Sequence, residues 1–79
     1  MKINIQYFAK LREECGCSRE IVETGTNNVL DLYNELKVKY RFSIETENLK
    51  VAVNDQFSSW ETKLNENDLV VFIQPVAGG

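Results

Sequence analysis

The residues best suited to chemistry stand at the end of the 79-residue sequence, which closes on Gly78 and Gly79. With glycine near 7% of residues in ordinary proteins, two in succession at a given place arise by chance roughly 1 time in 200. Chain ends are often small and loose without consequence, so the pair gains its weight from what it could do. Glycine lacks a Cβ, and Gly78-Gly79 can therefore run extended through a narrow tunnel in another protein and deliver a bare terminal carboxylate. A carboxylate is a poor acyl donor because its oxygen leaves badly, and it needs activation, typically to an acyl-adenylate. The sequence has no glycine-rich phosphate loop and no Walker lysine with which to bind ATP. A separate enzyme must use the ATP, and the chain itself is expected to bind no cofactor.

Other reactive constellations are few. Histidine is absent, which removes the usual general base and the commonest metal ligand together. Cys15 and Cys17 are the only thiols, separated by Gly16. Residues two apart on a bend rarely meet disulfide geometry, and a metal site would need two more soft ligands, so both are read as reduced thiols holding no metal. Ser43, Ser58 and Ser59 have no histidine to activate them. Glu13, Glu14, Glu45 and Glu47 are read as solvated charges rather than an acid–base pair, because no cleft is expected near them. No turnover is expected from this chain alone.

Bulk properties set the frame for these residues. Seventy-nine residues make one domain, and 43% hydrophobic content suffices for one core. A formal charge of −3 without a basic block argues against nucleic acid or an anionic membrane, and suits a partner protein that presents a basic groove. The longest apolar run, Leu69 to Ile73, is far too short to span a bilayer. Met1-Lys2 leads directly into alternating residues, unlike a secretory signal, so a cytoplasmic protein is expected.

The elements that must position the tail follow from periodicity. Ile3, Ile5 and Tyr7 alternate with polar residues as in a strand buried on one face, and Phe8 breaks the pattern towards the polar side. Ala9 to Glu14 are helix formers closed by Gly16, and Ser18 to Thr24 read as a second strand ending at Gly25. Asn28 is a good N-cap for a helix whose apolar face is Val29, Leu32, Tyr33, Leu36 and Tyr40. Phe42 to Asn48 read as a polar loop, Val51 and Val53 as a short strand, and Asn54-Asp55 as a tight turn into Gln56-Phe57. Leu69 to Ile73 read as a buried central strand parallel to the first, stopped by Pro75, which cannot donate to a ladder. The order predicts an α+β domain of the β-grasp type: a mixed sheet of about five strands covered on one face by a main helix. Residues 1–74 form that domain, and residues 75–79 form a flexible tail.

A single covering helix leaves apolar residues over. Phe8 and one alternate set of the last strand, either Leu69, Val71 and Ile73 or Val70 and Phe72, must face away from the helix. Phe57 and Trp60 are further large apolar residues without a clear place in the core. A patch of this kind on a small acidic protein predicts a docking surface around Phe8 and Ile73, with Val71 and Trp60 as further contacts.

The segment Tyr7-Phe8-Ala9-Lys10-Leu11-Arg12-Glu13, the segment Val51-Ala52-Val53-Asn54 and the ending Pro75-Val76-Ala77-Gly78-Gly79 together resemble the small subunit of molybdopterin synthase, in the expected order along essentially the whole chain. The resemblance implies a ubiquitin-like β-grasp fold and a sulfur-carrying cycle in molybdenum cofactor biosynthesis. An activating enzyme related to ubiquitin E1 proteins adenylates the terminal glycine, and a sulfur donor protein converts it to a thiocarboxylate. The tail then enters the large synthase subunit, which performs catalysis and passes the sulfur to a pterin precursor, usually within a heterotetramer. Carried over by the match, Gly79 bears the sulfur, and Gly78, Ala77, Val76 and Pro75 form the inserted tail. Phe8 and Ile73 fall at hydrophobic contacts, the latter where the family often has Phe. Arg12 is read either as a polar contact or as a solvated helix residue. Gln74 stands where proline is frequent, and the Cys15-Gly16-Cys17 turn is not a family feature. Rival readings are the sulfur carrier of thiamin biosynthesis, a ubiquitin-like modifier forming isopeptide bonds, and an interaction domain with an inert tail.

Overall fold

The computed structural model describes residues 1–75; the expectations placed on Val76, Ala77, Gly78 and Gly79 lie outside the described residues. The chain runs β1 (Lys2–Tyr7), α1 (Ala9–Cys15), β2 (Arg19–Glu23), α2 (Val29–Tyr40), a 3-10 turn (Thr46–Asn48), β3 (Lys50–Val53), β4 (Gln56–Ser58) and β5 (Leu69–Ile73). The strands form one sheet in the order β2-β1-β5-β3-β4. β5 lies at its centre, parallel to β1 and antiparallel to β3, which is the ubiquitin-like β-grasp arrangement expected from the element order.

Local sequence accounts for most of these elements. The alternation in β1 sends Ile3, Ile5 and Tyr7 into the core, each no more than 1% exposed. The small helix α1 stops where Gly16 turns left-handed (φ 80°) and donates its N–H to the Arg12 carbonyl. Asn28 caps α2 as expected: its Oδ1 accepts from the Asp31 backbone N–H at 2.9 Å, and its Nδ2 donates to the Asp31 carboxylate at 2.9 Å. The other free N–H groups of that end are met from the loop after β4, with Val29 donating to the Thr62 carbonyl and Leu30 to that of Trp60. Asn54 and Asp55 both take positive φ (52° and 71°), the conformation a two-residue hairpin between β3 and β4 requires. Asn54 also ties that turn to β5: its Oδ1 accepts from Leu69 N, and its Nδ2 donates to the buried Asp68 carboxylate.

The segment from Phe42 to Asn48, expected as a polar loop, is instead part of the core wall. Phe42 and Ile44 are buried. The Phe42 ring stacks on Tyr33 at 5.9 Å, and the Tyr33 hydroxyl donates to the Ile44 carbonyl at 2.7 Å. A twelve-residue helix cannot cover a five-stranded sheet by itself, so the returning chain seals the gap between its end and β3. Trp60 plays the same part at the opposite end, stacked on Phe72 with centroids 6.1 Å apart and tilted against Tyr33 at 5.6 Å.

Candidate functional site

Register decides which side chains the two faces of the sheet carry. Ile5 pairs with Val70, Tyr7 with Phe72, and Val51 with Phe72, and all of these point towards α2, where they are buried. The intervening positions form the opposite face. Across it Gln6 pairs with Val71, Val71 with Ala52, and Ala52 with Phe57, giving one row through four strands. The set of β5 that faces away from the helix is therefore Leu69, Val71 and Ile73.

On this face Phe8, Val71 and Ile73 line one groove of about 310 Å³ with Ala52 and Phe57, while Gln6 and Asp55 supply polar atoms at its edge. Phe8 is 44% exposed and Phe57 75% exposed. Val71 is buried beneath its neighbours and forms the floor, and Ile73 is half-buried. Phe8 reaches the groove because it occupies the extended position between β1 and α1 (φ −129°, ψ 159°), where the strand alternation is broken. The apolar face continues across β1 and β2, where Ile21, 68% exposed, and Leu69 flank Asn4 and Arg19. Burying each large side chain of such a groove against a partner contributes on the order of 1.5–3 kcal/mol. The groove presents apolar surface, and among the described residues that line it Asp55 is the one titratable side chain, which leaves no pair to run acid–base chemistry.

The remaining candidates are distributed differently. Arg12 is exposed on α1, one turn after Phe8, and does not line the groove. Trp60 does not line it either: its ring packs against Tyr33 and Phe72 on the helix side of the sheet, half-buried, and lines a neighbouring groove with Phe57. Pro75 is exposed two residues beyond the end of β5. Val76, Ala77, Gly78 and Gly79 lie outside the described residues. Phe57, counted with the leftover apolar patch in the sequence, lies in the groove, and so does Ala52, which was given no docking role. The signal that could have found Ala52 is the hairpin turn at Asn54-Asp55, which fixes it opposite Phe57.

The titratable side chains with the largest upward shifts lie away from the groove. The Tyr7 and Tyr40 hydroxyls both donate to the Glu20 carboxylate. Burial first, and then the neighbouring carboxylate, push both phenols well above their ordinary range, so they remain neutral donors that fasten β2 to the end of α2. Burial likewise pushes Tyr33 up to about 12. These are structural hydroxyls.

The model of the ThiS family matches residues 5–79, nearly the whole chain. The chain belongs to the ThiS family. Within the known proteins, this ThiS-family chain is 39% identical over 83 residues to the molybdopterin synthase sulfur carrier subunit of Mycobacterium tuberculosis, covering 100% of this chain and 99% of that one. Among solved structures it is similar to a putative molybdopterin converting factor subunit 1 from Pyrococcus furiosus (TM-score 0.79, 28% identity, 96% of this chain and 99% of that chain). The same fold recurs in a complex of subunits 1 and 2 of molybdopterin-converting factor from Helicobacter pylori (TM-score 0.70, 21% identity, 100% of both chains).

Proposed function

We propose that this chain is the sulfur carrier subunit of molybdopterin synthase in molybdenum cofactor biosynthesis, its sulfur borne by the Gly79 carboxyl as a thiocarboxylate. The observation that carries the reading is the placement of the apolar groove on β5. Ile73, which lines the groove, is followed within six residues by Gly78 and Gly79. A surface that seats the domain thus stands beside the strand that leads into the reactive end. The full-length likeness to a protein named as such a carrier supports the same reading.

The division of labour follows from the chemistry. The carboxylate of Gly79 attacks the α-phosphorus of ATP on an E1-like activating enzyme, and pyrophosphate leaves. Sulfide-level sulfur delivered by a donor protein then attacks the acyl carbon, a C–S bond forms as AMP leaves, and the thiocarboxylate remains. The large subunit of molybdopterin synthase receives the tail and passes the sulfur to the pterin precursor; the carrier supplies the atom, and its groove supplies the docking. Glycine's lack of a side chain at Gly78 and Gly79 suits a narrow entry channel.

The test is intact-mass measurement after incubation with an activating enzyme, ATP and a sulfur source. The expected result is a gain equal to exchanging one oxygen for sulfur, confined to the C-terminal peptide, and absent from a variant lacking Gly79 that still folds. Adding a large synthase subunit and the pterin precursor should then return the carrier to its original mass. Loading without discharge to that subunit would point to the thiamin pathway, and a ladder of covalent conjugates on lysines would point to a protein modifier.

A further inference from the structure

The Cys15-Gly16-Cys17 turn takes no part in the carrier reading, and its geometry differs from what its spacing implies. Both thiols are free and partly exposed, and their sulfurs lie 3.5 Å apart. The cause is the left-handed Gly16 at the end of α1, which folds Cys17 back over the last turn. Cys15 Sγ also contacts the Cys17 carbonyl at 3.1 Å, so the two residues already face each other. A residue with a Cβ would be strained at φ 80°, whereas glycine adopts it freely. The fold therefore overcomes the objection that residues two apart seldom meet.

We propose that Cys15 and Cys17 form a redox-active dithiol, closed to an intramolecular disulfide by exchange with a low-molecular-weight disulfide such as oxidised glutathione. Closing the ring requires the sulfurs to approach from 3.5 Å to about 2.0 Å, a movement within reach of two side-chain rotations. In the first step the Cys15 thiol releases its proton to solvent, and its thiolate attacks one sulfur of the small disulfide. A mixed disulfide forms on Cys15, and one small thiolate leaves. In the second step Cys17 loses its proton and attacks the Cys15 sulfur, and the second small thiolate leaves. The protein loses two electrons and two protons, and the small disulfide is reduced to two thiols.

Burial and the adjacent Cys15 thiol push Cys17 up to about 11, so its attack in the second step waits on loss of its proton and should quicken as pH rises towards that value. A ring spanning three residues is strained relative to disulfides that close long loops, and strained disulfides are the readily reduced ones. The pair is thus suited to reversible closure rather than to stapling the fold. α1 runs from the groove residue Phe8 to this turn, so closure would fix the far end of the helix whose entry presents a docking side chain.

The test uses the full chain titrated with oxidised and reduced glutathione, followed by acid quenching, intact mass and mapping of the tryptic peptide Glu13–Arg19, which carries both cysteines. The expected product is a monomer lighter by two hydrogens, with the ring inside that peptide, reopened completely by a dithiol reductant. Cys17→Ser should instead accumulate the mixed disulfide on Cys15 several-fold over wild type, with circular dichroism showing that it folds. Mixed disulfides or covalent dimers on the wild type in place of the ring would overturn the proposal, as would thiols that stay free under a large excess of oxidised glutathione until the protein is denatured.

Discussion

The two faces of β5 are built from the same kinds of residue and do opposite things. Val70 and Phe72 are wholly buried against α2, with Phe72 held between Tyr33, Trp60 and the strand neighbours of β5. Val71 and Ile73, one step along the same strand, form the floor and side of an open groove. Hydrophobicity alone does not separate them. On one face apolar side chains find partners within the chain and stabilise the fold; on the other they line an open groove, the surface we propose for docking. A domain with one main helix and five strands has a covered face and an uncovered one, and this chain has put apolar residues on both.

Substitutions on β5 should break this symmetry sharply. Phe72→Ala removes a ring from the covered face and should destabilise the protein by about 3–5 kcal/mol in denaturant unfolding. Loss of less than about 1 kcal/mol would mean that the aromatic cluster around Tyr33 and Trp60 does not act as core. The double variant Phe8→Asp with Ile73→Asp addresses the open face. Its unfolding midpoint should stay close to wild type, while affinity for a large synthase subunit, measured by calorimetry, should fall at least about thirtyfold, as expected when two central contacts are lost. A large loss of stability with unchanged affinity would reverse the roles assigned to the two faces.

Two further tests sharpen the contrast through protonation. Tyr33 belongs to the covered side, and its phenol is raised from 10.0 to about 12 by burial. Its neutral form is favoured by folding, so that contribution is complete below about pH 10 and is lost as pH rises towards 12, because the unfolded phenol ionises first. Tyr33→Phe should flatten this alkaline decline, read from denaturant midpoints across that range. The smallest effect is expected at the surface. The Ser43 hydroxyl and backbone N–H both donate to Glu14 and hold its carboxyl below the ordinary 4.5. The stabilisation is present above that value and lost as pH falls below it. Ser43→Ala should move the Glu14 titration, followed by NMR, upward while leaving the thermal midpoint within about a degree, as usual for an exposed pair.

How far the sequence could be read depended on the distance over which each signal acts. The cap at Asn28, the stop at Gly16 and the turn at Asn54-Asp55 are set by residues within one turn of each other, and each was legible. The central, parallel place of β5 was legible too, because an unbroken apolar run bounded by Pro75 suits only a strand with neighbours on both sides. Phe8 was legible as an apolar residue out of phase with β1. Trp60, Phe42 and Ile44 were not, since polar neighbours in sequence conceal whether a loop folds over the core. The reading of Gly79 as the reactive end rests on the chemistry of a side-chain-free carboxyl following a central strand, and residues 76–79 lie outside the described residues.

By itself the sequence determined the kinds and order of the elements, through periodicity and caps that operate between near neighbours. It also determined that apolar residues exceed what one covering helix can hide. Only the tertiary structure decided which of them remain outside. That choice depends on register between strands up to 65 residues apart, where Gln6 meets Val71 and Val71 meets Ala52, and a slip of one position would turn Val71 inward and Phe72 out. The same holds for Cys15 and Cys17, whose sulfurs approach because the backbone at Gly16 turns left-handed. Local patterns specify what a residue can do, and long-range packing specifies which face, and therefore which partner, it meets.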